Sequence, residues 1–210
     1  MLQSALIERR PWLLAAIVTA LAFHFVQSTA LPEVYLILLE FLPFGLLANY
    51  ALLRHAGSDT NILALMLLLE GVGAAFYDIN DYQGTIFTAA GFSLGIGLFL
   101  NHLDERHGNH VRWLTTFALF LLPPVFLLIT ATSRGAAPAF QGIALGGMVA
   151  SAWASTFPRE RVGSGAVIVM LGSMIAIQWP GHWLSWPLFF VGNLVLAIGV
   201  TSELRARDTG

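Results

Sequence analysis

The sequence predicts an all-α polytopic membrane protein: one transmembrane bundle of about eight helices, with N and C termini in the cytoplasm. Three observations carry this. Of 210 residues, 57% are hydrophobic and only 10% charged, whereas soluble domains carry about a quarter charged residues. Apolar runs of membrane-spanning length recur along the chain, whose mean hydropathy is +0.74, and lipid is the only sink large enough for them. The basic residues fall on alternate loops.

The runs lie at 12–29, 33–53, 62–78, 84–102, 112–132, 138–157, 163–179 and 182–201, each near the length that crosses a bilayer. The first follows MLQSALIERRPW; no small-residue cleavage site comes after it, so it reads as a retained helix and not a removed signal. The second holds Glu40 and Pro43. The third and the seventh are the shortest, and the third holds Glu70. Gly91 and Gly95 in the fourth, and Gly142 and Gly146 in the sixth, are spaced four apart, which lets backbones approach closely in lipid. Pro43 and the Pro123–Pro124 pair are expected to kink or interrupt their helices, because each removes a backbone hydrogen bond. Short loops imply a single domain over 1–210, with no convincing internal repeat.

Arginine placement tests the count independently. All ten basic residues are arginine. Alternating the loops puts Arg9, Arg10, Arg54, Arg106, Arg112, Arg159, Arg161, Arg205 and Arg207 on one side and Arg134 alone on the other. Positive residues stay inside, so the rich side, with both termini, is cytoplasmic; a bacterial inner membrane is the expected location. Trp179, Trp183 and Trp186 gather at the proposed outer turn, where amphipathic rings prefer to sit.

Composition also excludes chemistry. Without cysteine there is no disulfide or thiolate site, and without lysine no Schiff base or Walker-type phosphate loop. A net charge of −2 with no basic cluster argues against a nucleic-acid partner; membrane lipids are the expected partners. No cofactor motif is present. NHLDERHGNHVR carries His102, Asp104, Glu105, His107 and His110, but the spacing fits no zinc pattern, so no metal is expected and the loop reads as a solvated surface.

The informative groups are polar residues at membrane depth. A carboxylate there costs roughly 2.5–3.5 kcal/mol on insertion scales and is a functional candidate by default. Glu40 and Glu70 lie on neighbouring antiparallel helices and can face each other, as an acid–base pair or as one carboxyl acting as structural glue. Asp78, in FYDIND, sits at the outer end of the third run, where it can line the mouth of a site. His24 lies well inside the first run, as a proton relay or a packing histidine. Gln141, Ser151, Ser173 and Asn193 can hydrogen-bond between helices.

GAVIVMLGS (165–173), FFVGNLVLA (189–197), PAFQGIALGGM (138–148) and LEFLPF, with Glu40 and Pro43, together resemble the YhhN family of lysoplasmalogenase-like membrane proteins. Gly165 and Ala166 match that family's Gly-Ala pair. Phe189 and Phe190 stand for its aromatic pair and Asn193 for its glutamine. The resemblance implies an eight-helix bundle and hydrolysis of the vinyl ether of a lysoplasmalogen-type lipid. Of the family's two membrane aspartates, the C-terminal one falls on Ser173; for the other, Asp78 is nearest along the chain and Glu70 matches in depth. On this reading Glu70 acts with Glu40 or Asp78 as acid and base, Ser173, Asn193 and His24 hold lipid or water, and the aspartate pair is incomplete.

Three functions compete. A lipid hydrolase requires the named residues to converge on one cavity. A non-enzymatic transporter or binding protein requires a polar path or groove. A structural subunit requires the glycine faces of the fourth and sixth helices to point outward.

Overall fold

A computed structural model describes residues 2–29, 31–55, 57–77, 79–104, 110–130 and 137–209, with side chains from Pro11 to Asp208. Among the described residues are eight α-helices: α1 (Leu2–Val26), α2 (Glu33–Arg54), α3 (Ser58–Tyr77), α4 (Asp81–Leu100), α5 (His110–Thr130), α6 (Ala137–Ala154), α7 (Ser164–Gln178) and α8 (Ser185–Thr209). A π-helical turn, Arg159–Gly163, leads into α7. Six segments are long and apolar enough to cross a membrane: α2, α3, α4, α5, the turn with α7, and α8. In α1 the apolar stretch is shorter, Pro11–Val26. Pro138, Gln141 and three glycines dilute the 18 residues of α6.

Local chemistry sets the boundaries. The Asn80 side chain accepts hydrogen bonds from the Tyr82 and Gln83 amides at 3.0 and 3.2 Å, capping α4. Gly181, at φ 75°, makes the left-handed step between α7 and α8, which a side chain would oppose. The prolines were expected to kink or interrupt their helices; they do not interrupt them, since α2 runs through Pro43 and α5 through Pro123 and Pro124. Neighbouring helices hold such segments in lipid. Here α6 presents Gly142 to the α5 prolines, so closely that a Cβ would lie 2.8 Å from Pro124 Cα.

The glycines pack inside the bundle. A Cβ on Gly91 would meet Glu70 Cγ at 2.8 Å, and one on Gly95 would meet Met148 Cγ at 2.8 Å. The structural-subunit reading therefore lacks the outward glycine faces it requires.

The bundle divides into two halves of like helix order, α1–α4 and α5–α8, which are alike in the packing of α3 on α4 and α7 on α8 but not throughout: α2 lies broadly against α3, whereas α6 and α7 meet sparsely. Helix α1 packs on α2, α2 on α3, α3 on α4 and α4 on α6; in the same order α5 packs on α6, α6 on α7, α7 on α8 and α8 on α2. Close backbone approaches repeat in one register. A Cβ on Gly73 would meet Thr88 N at 2.7 Å and Gly84 O at 3.0 Å; one on Gly172 would meet Phe189 N at 2.5 Å and Ser185 O at 2.9 Å. Gly91 approaches Met66 O and Glu70 N just as Gly192 approaches Gly165 O and Val169 N. Each buried position of α4 (Gly84, Thr88, Gly91, Phe92, Gly95, Leu98, Phe99) has a buried counterpart in α8 (Ser185, Phe189, Gly192, Asn193, Leu196, Gly199, Val200), and α8 buries Phe190, Ala197, Thr201 and Leu204 in addition. Each half has four helices, so corresponding helices run the same way and the axis relating the halves lies along the bundle. The sequence was expected to hold no convincing internal repeat; the likeness lies in the packing geometry of α3–α4 and α7–α8, and the side chains differ at most of these positions.

Candidate functional site

A cavity of about 140 Å³ opens at one end of the bundle, between the halves. Corresponding residues of α3 and α7, and of α4 and α8, line it together: Ala74 with Ser173, Tyr77 with Ala176, and Thr88 with Phe189; Glu40 and Gln141 add polar groups from α2 and α6. It therefore lies close to the axis. An apolar cavity near 150 Å³ admits benzene, so this one accepts a headgroup-sized moiety and not a whole lipid.

Its chemistry is mixed. Phe23, Trp186 and Phe189 contribute rings. Trp186 is stacked on Phe190 with centroids 5.6 Å apart and lies 4.6 Å from Phe23, which fixes the indole. The Thr88 hydroxyl is already used, donating to Gly84 O at 2.8 Å, and that of Ser185 donates to His182 O at 2.7 Å. By contrast, Gln141 Oε1, Ser173 Oγ and Trp186 Nε1 are buried with no hydrogen-bond partner among the described residues. Buried polar atoms are nearly always satisfied, so this trio marks a place for a ligand or water. Glu40, 8% exposed, is the only carboxylate among the described lining residues.

Glu70 and Asn193, both fully buried, lie outside the cavity wall. Asn193 Nδ2 donates to Glu70 Oε2 at 2.6 Å and to Phe189 O at 3.2 Å. Phe189 lines the cavity, so this pair sits one helical turn beneath it. Glu70 Oε1 and Asn193 Oδ1 have no hydrogen-bond partner among the described residues.

The structure thus brings Glu40 and Ser173 to one cavity and places Glu70 with Asn193 below it; the Glu70 hydrogen bond goes to Asn193, not to Glu40. Asp78 lies outside the described residues. His24 stands back from the lining, its Nδ1 3.1 Å from Nε2 of Gln27, which does line it. Sequence reasoning missed Gln141, taken as interhelical glue, and Trp186, taken as an interfacial anchor. The available signal was that Gln141 and Ser173 are polar at the depth of two spans.

At the opposite end polar bonds gather, both within and between the halves. His55 Nε2 meets Asp208 Oδ2 at 2.7 Å, and His55 Nδ1 meets Thr60 Oγ1 at 2.8 Å. His102 lies between Asp59 (2.8 Å) and Arg207 (3.2 Å). The Arg207 guanidinium also donates to Thr156 Oγ1 at 2.9 Å and covers the Phe157 ring. Arg112 donates to Asp104 at 2.7 Å and to Ala154 O at 2.7 Å. His102 and Asp104 were expected on a solvated loop; the ends of α6 and α8 instead fold over them. Among the described residues no group of three or more His, Cys, Asp or Glu could hold a metal ion.

No protein-family profile, no curated protein and no solved structure matches the chain.

Proposed function

We propose that this chain is an eight-span integral membrane protein, with both termini in the cytoplasm, that binds the polar end of a small amphiphile in the axial cavity. The observation that carries this reading is the trio of unpartnered buried atoms, Gln141 Oε1, Ser173 Oγ and Trp186 Nε1, around one opening. They offer an acceptor, a hydroxyl and a donor to a ligand bearing both kinds of group. Native mass spectrometry of the purified protein with lysophospholipids and lyso-ether lipids tests it. Wild type retains a bound lipid, and Ser173→Phe, which fills the cavity, loses it. Equal retention by a folded Ser173→Phe variant would rule the cavity out.

A second reading, YhhN-type hydrolysis of a lysoplasmalogen, is favoured by Glu40, a carboxyl in the cavity wall. An acid would protonate the enol-ether carbon, a base would take a proton from the attacking water, and the hemiacetal would collapse to a fatty aldehyde and a glycerol-lipid alcohol. On this reading Glu40 replaces Glu70 as the group that meets substrate, and Glu70 with Asn193 supports the floor. Aldehyde release that Glu40→Gln abolishes would support it. No release from folded wild type would leave binding without chemistry.

A further inference from the structure

We propose that the two halves are the moving bodies of a carrier, which opens the axial cavity at one end in this structure and at the other end when the inter-half latch releases. The proposal rests on the cavity binding a ligand, as above, and adds movement of that ligand through the bundle.

Three observations converge on it. The cavity lies on the axis relating two like-oriented halves, the position at which rocking of one repeat against the other switches the open end around a fixed site. The seams between the halves are unequal: α4 lies broadly against α6, whereas α2 and α8 meet sparsely. The first is built as a hinge and the second as an opening. The second seam is fastened at its far end by the last turn of α8, through Arg207 to His102 and Asp208 to His55. Such partly exposed polar pairs are individually weak, as a releasable latch requires. One turn below the cavity lie Glu70 Oε1 and Asn193 Oδ1, buried and without a hydrogen-bond partner among the described residues. With Ser173 Oγ and Gln141 Oε1 above them, they extend the polar lining inward; from there to the latch Leu63, Met66, Leu196 and Val200 close the core, and this is the stretch that the rocking parts. The cargo class follows from the same atoms: a small solute or lipid headgroup carrying both a hydrogen-bond donor and an acceptor.

The chain has no cysteine, so single cysteines report access cleanly. Ala74→Cys and Ser173→Cys are introduced separately, and a membrane-impermeant maleimide is added to either side of oriented vesicles. In the otherwise native chain both sites label from the cavity end. Adding Arg207→Ala with Asp208→Asn should raise latch-end labelling at both positions by about tenfold, the ratio expected for a shift of roughly 1.4 kcal/mol between two states, and lower cavity-end labelling. Latch-end labelling that stays at background, in a variant with the native melting midpoint, would overturn the proposal. If that pair does not fold, Arg207→Lys, which keeps the charge but loses the forked geometry, serves with the same two outcomes. Protection of cavity-end labelling by a lysophospholipid reports ligand binding separately. Protection without latch-end access means a binding site in a fixed bundle; latch-end access without protection means rocking halves and a different cargo.

Discussion

Asn193 on α8 donates a 2.6 Å hydrogen bond to Glu70 on α3, joining the two halves where the symmetry-related residues, Phe92 and Val169, are apolar. The hydrogen bond therefore has no counterpart at those two positions. A similar difference occurs in the cavity wall, where Ala74 of α3 corresponds to Ser173 of α7.

Removing Asn193 should therefore cost more than altering Glu70. Asn193→Leu leaves the Glu70 carboxyl buried without a donor, a loss of about 1–3 kcal/mol. Glu70→Gln keeps an acceptor for Asn193 and should fall closer to wild type. Thermal unfolding in detergent measures both, and a Glu70→Gln variant less stable than Asn193→Leu would contradict this account of the pair.

The glycine contacts make a sharper test of the repeat. Gly73→Ala and Gly172→Ala both push a Cβ into the backbone of the following helix, and overpacking of this kind costs roughly 1–3 kcal/mol. Gly97 is exposed, and nothing lies within 4 Å of its Cβ position. Gly97→Ala should stabilise α4, by up to about 1 kcal/mol from helix propensity. The related pair should lose stability to a similar extent; a neutral Gly172→Ala beside a damaging Gly73→Ala would break the equivalence.

Topology is testable without structure determination. Trp183, 63% exposed, belongs to the turn between α7 and α8, and Asp208 lies at the far end of α8. Trp183→Cys and Asp208→Cys should react with an impermeant maleimide from opposite faces, Asp208→Cys from the cytoplasmic one. Reaction of both from a single face would mean that α8 does not span.

Much of the helical fold was legible in the sequence, because hydropathy acts over whole segments. The eight expected runs coincide with α1 to α8 to within a few residues at most ends. The larger departures are α1, which begins at Leu2, and α8, which continues to Thr209; their polar ends carry no hydropathy signal. The repeat was not legible, because it resides in which glycines meet which backbones, and residues such as Glu70 and Val169 are equivalent only in space. Glu40 and Ser173 were recognisable as polar groups at depth. Their shared cavity was not, because α2 and α7 are distant in sequence and meet the site only through the closure of the ring. The pairing of Glu70 with Asn193 escaped for the same reason: sequence adjacency suggested Glu40, and α8 supplied the partner instead.

The central claim, that the axial cavity receives a ligand's polar end, is tested most directly by photo-crosslinking. A lysophospholipid with a diazirine beside its headgroup is reacted with the protein in nanodiscs, and the adducts are mapped by peptide mass spectrometry. The account predicts adducts on cavity residues, foremost Ser173, Trp186 and Phe189, that disappear in Ser173→Phe. Adducts confined to the outward face of α5, where Leu114 and Phe117 are 75% and 62% exposed, would show that lipid only surrounds the bundle and would contradict it.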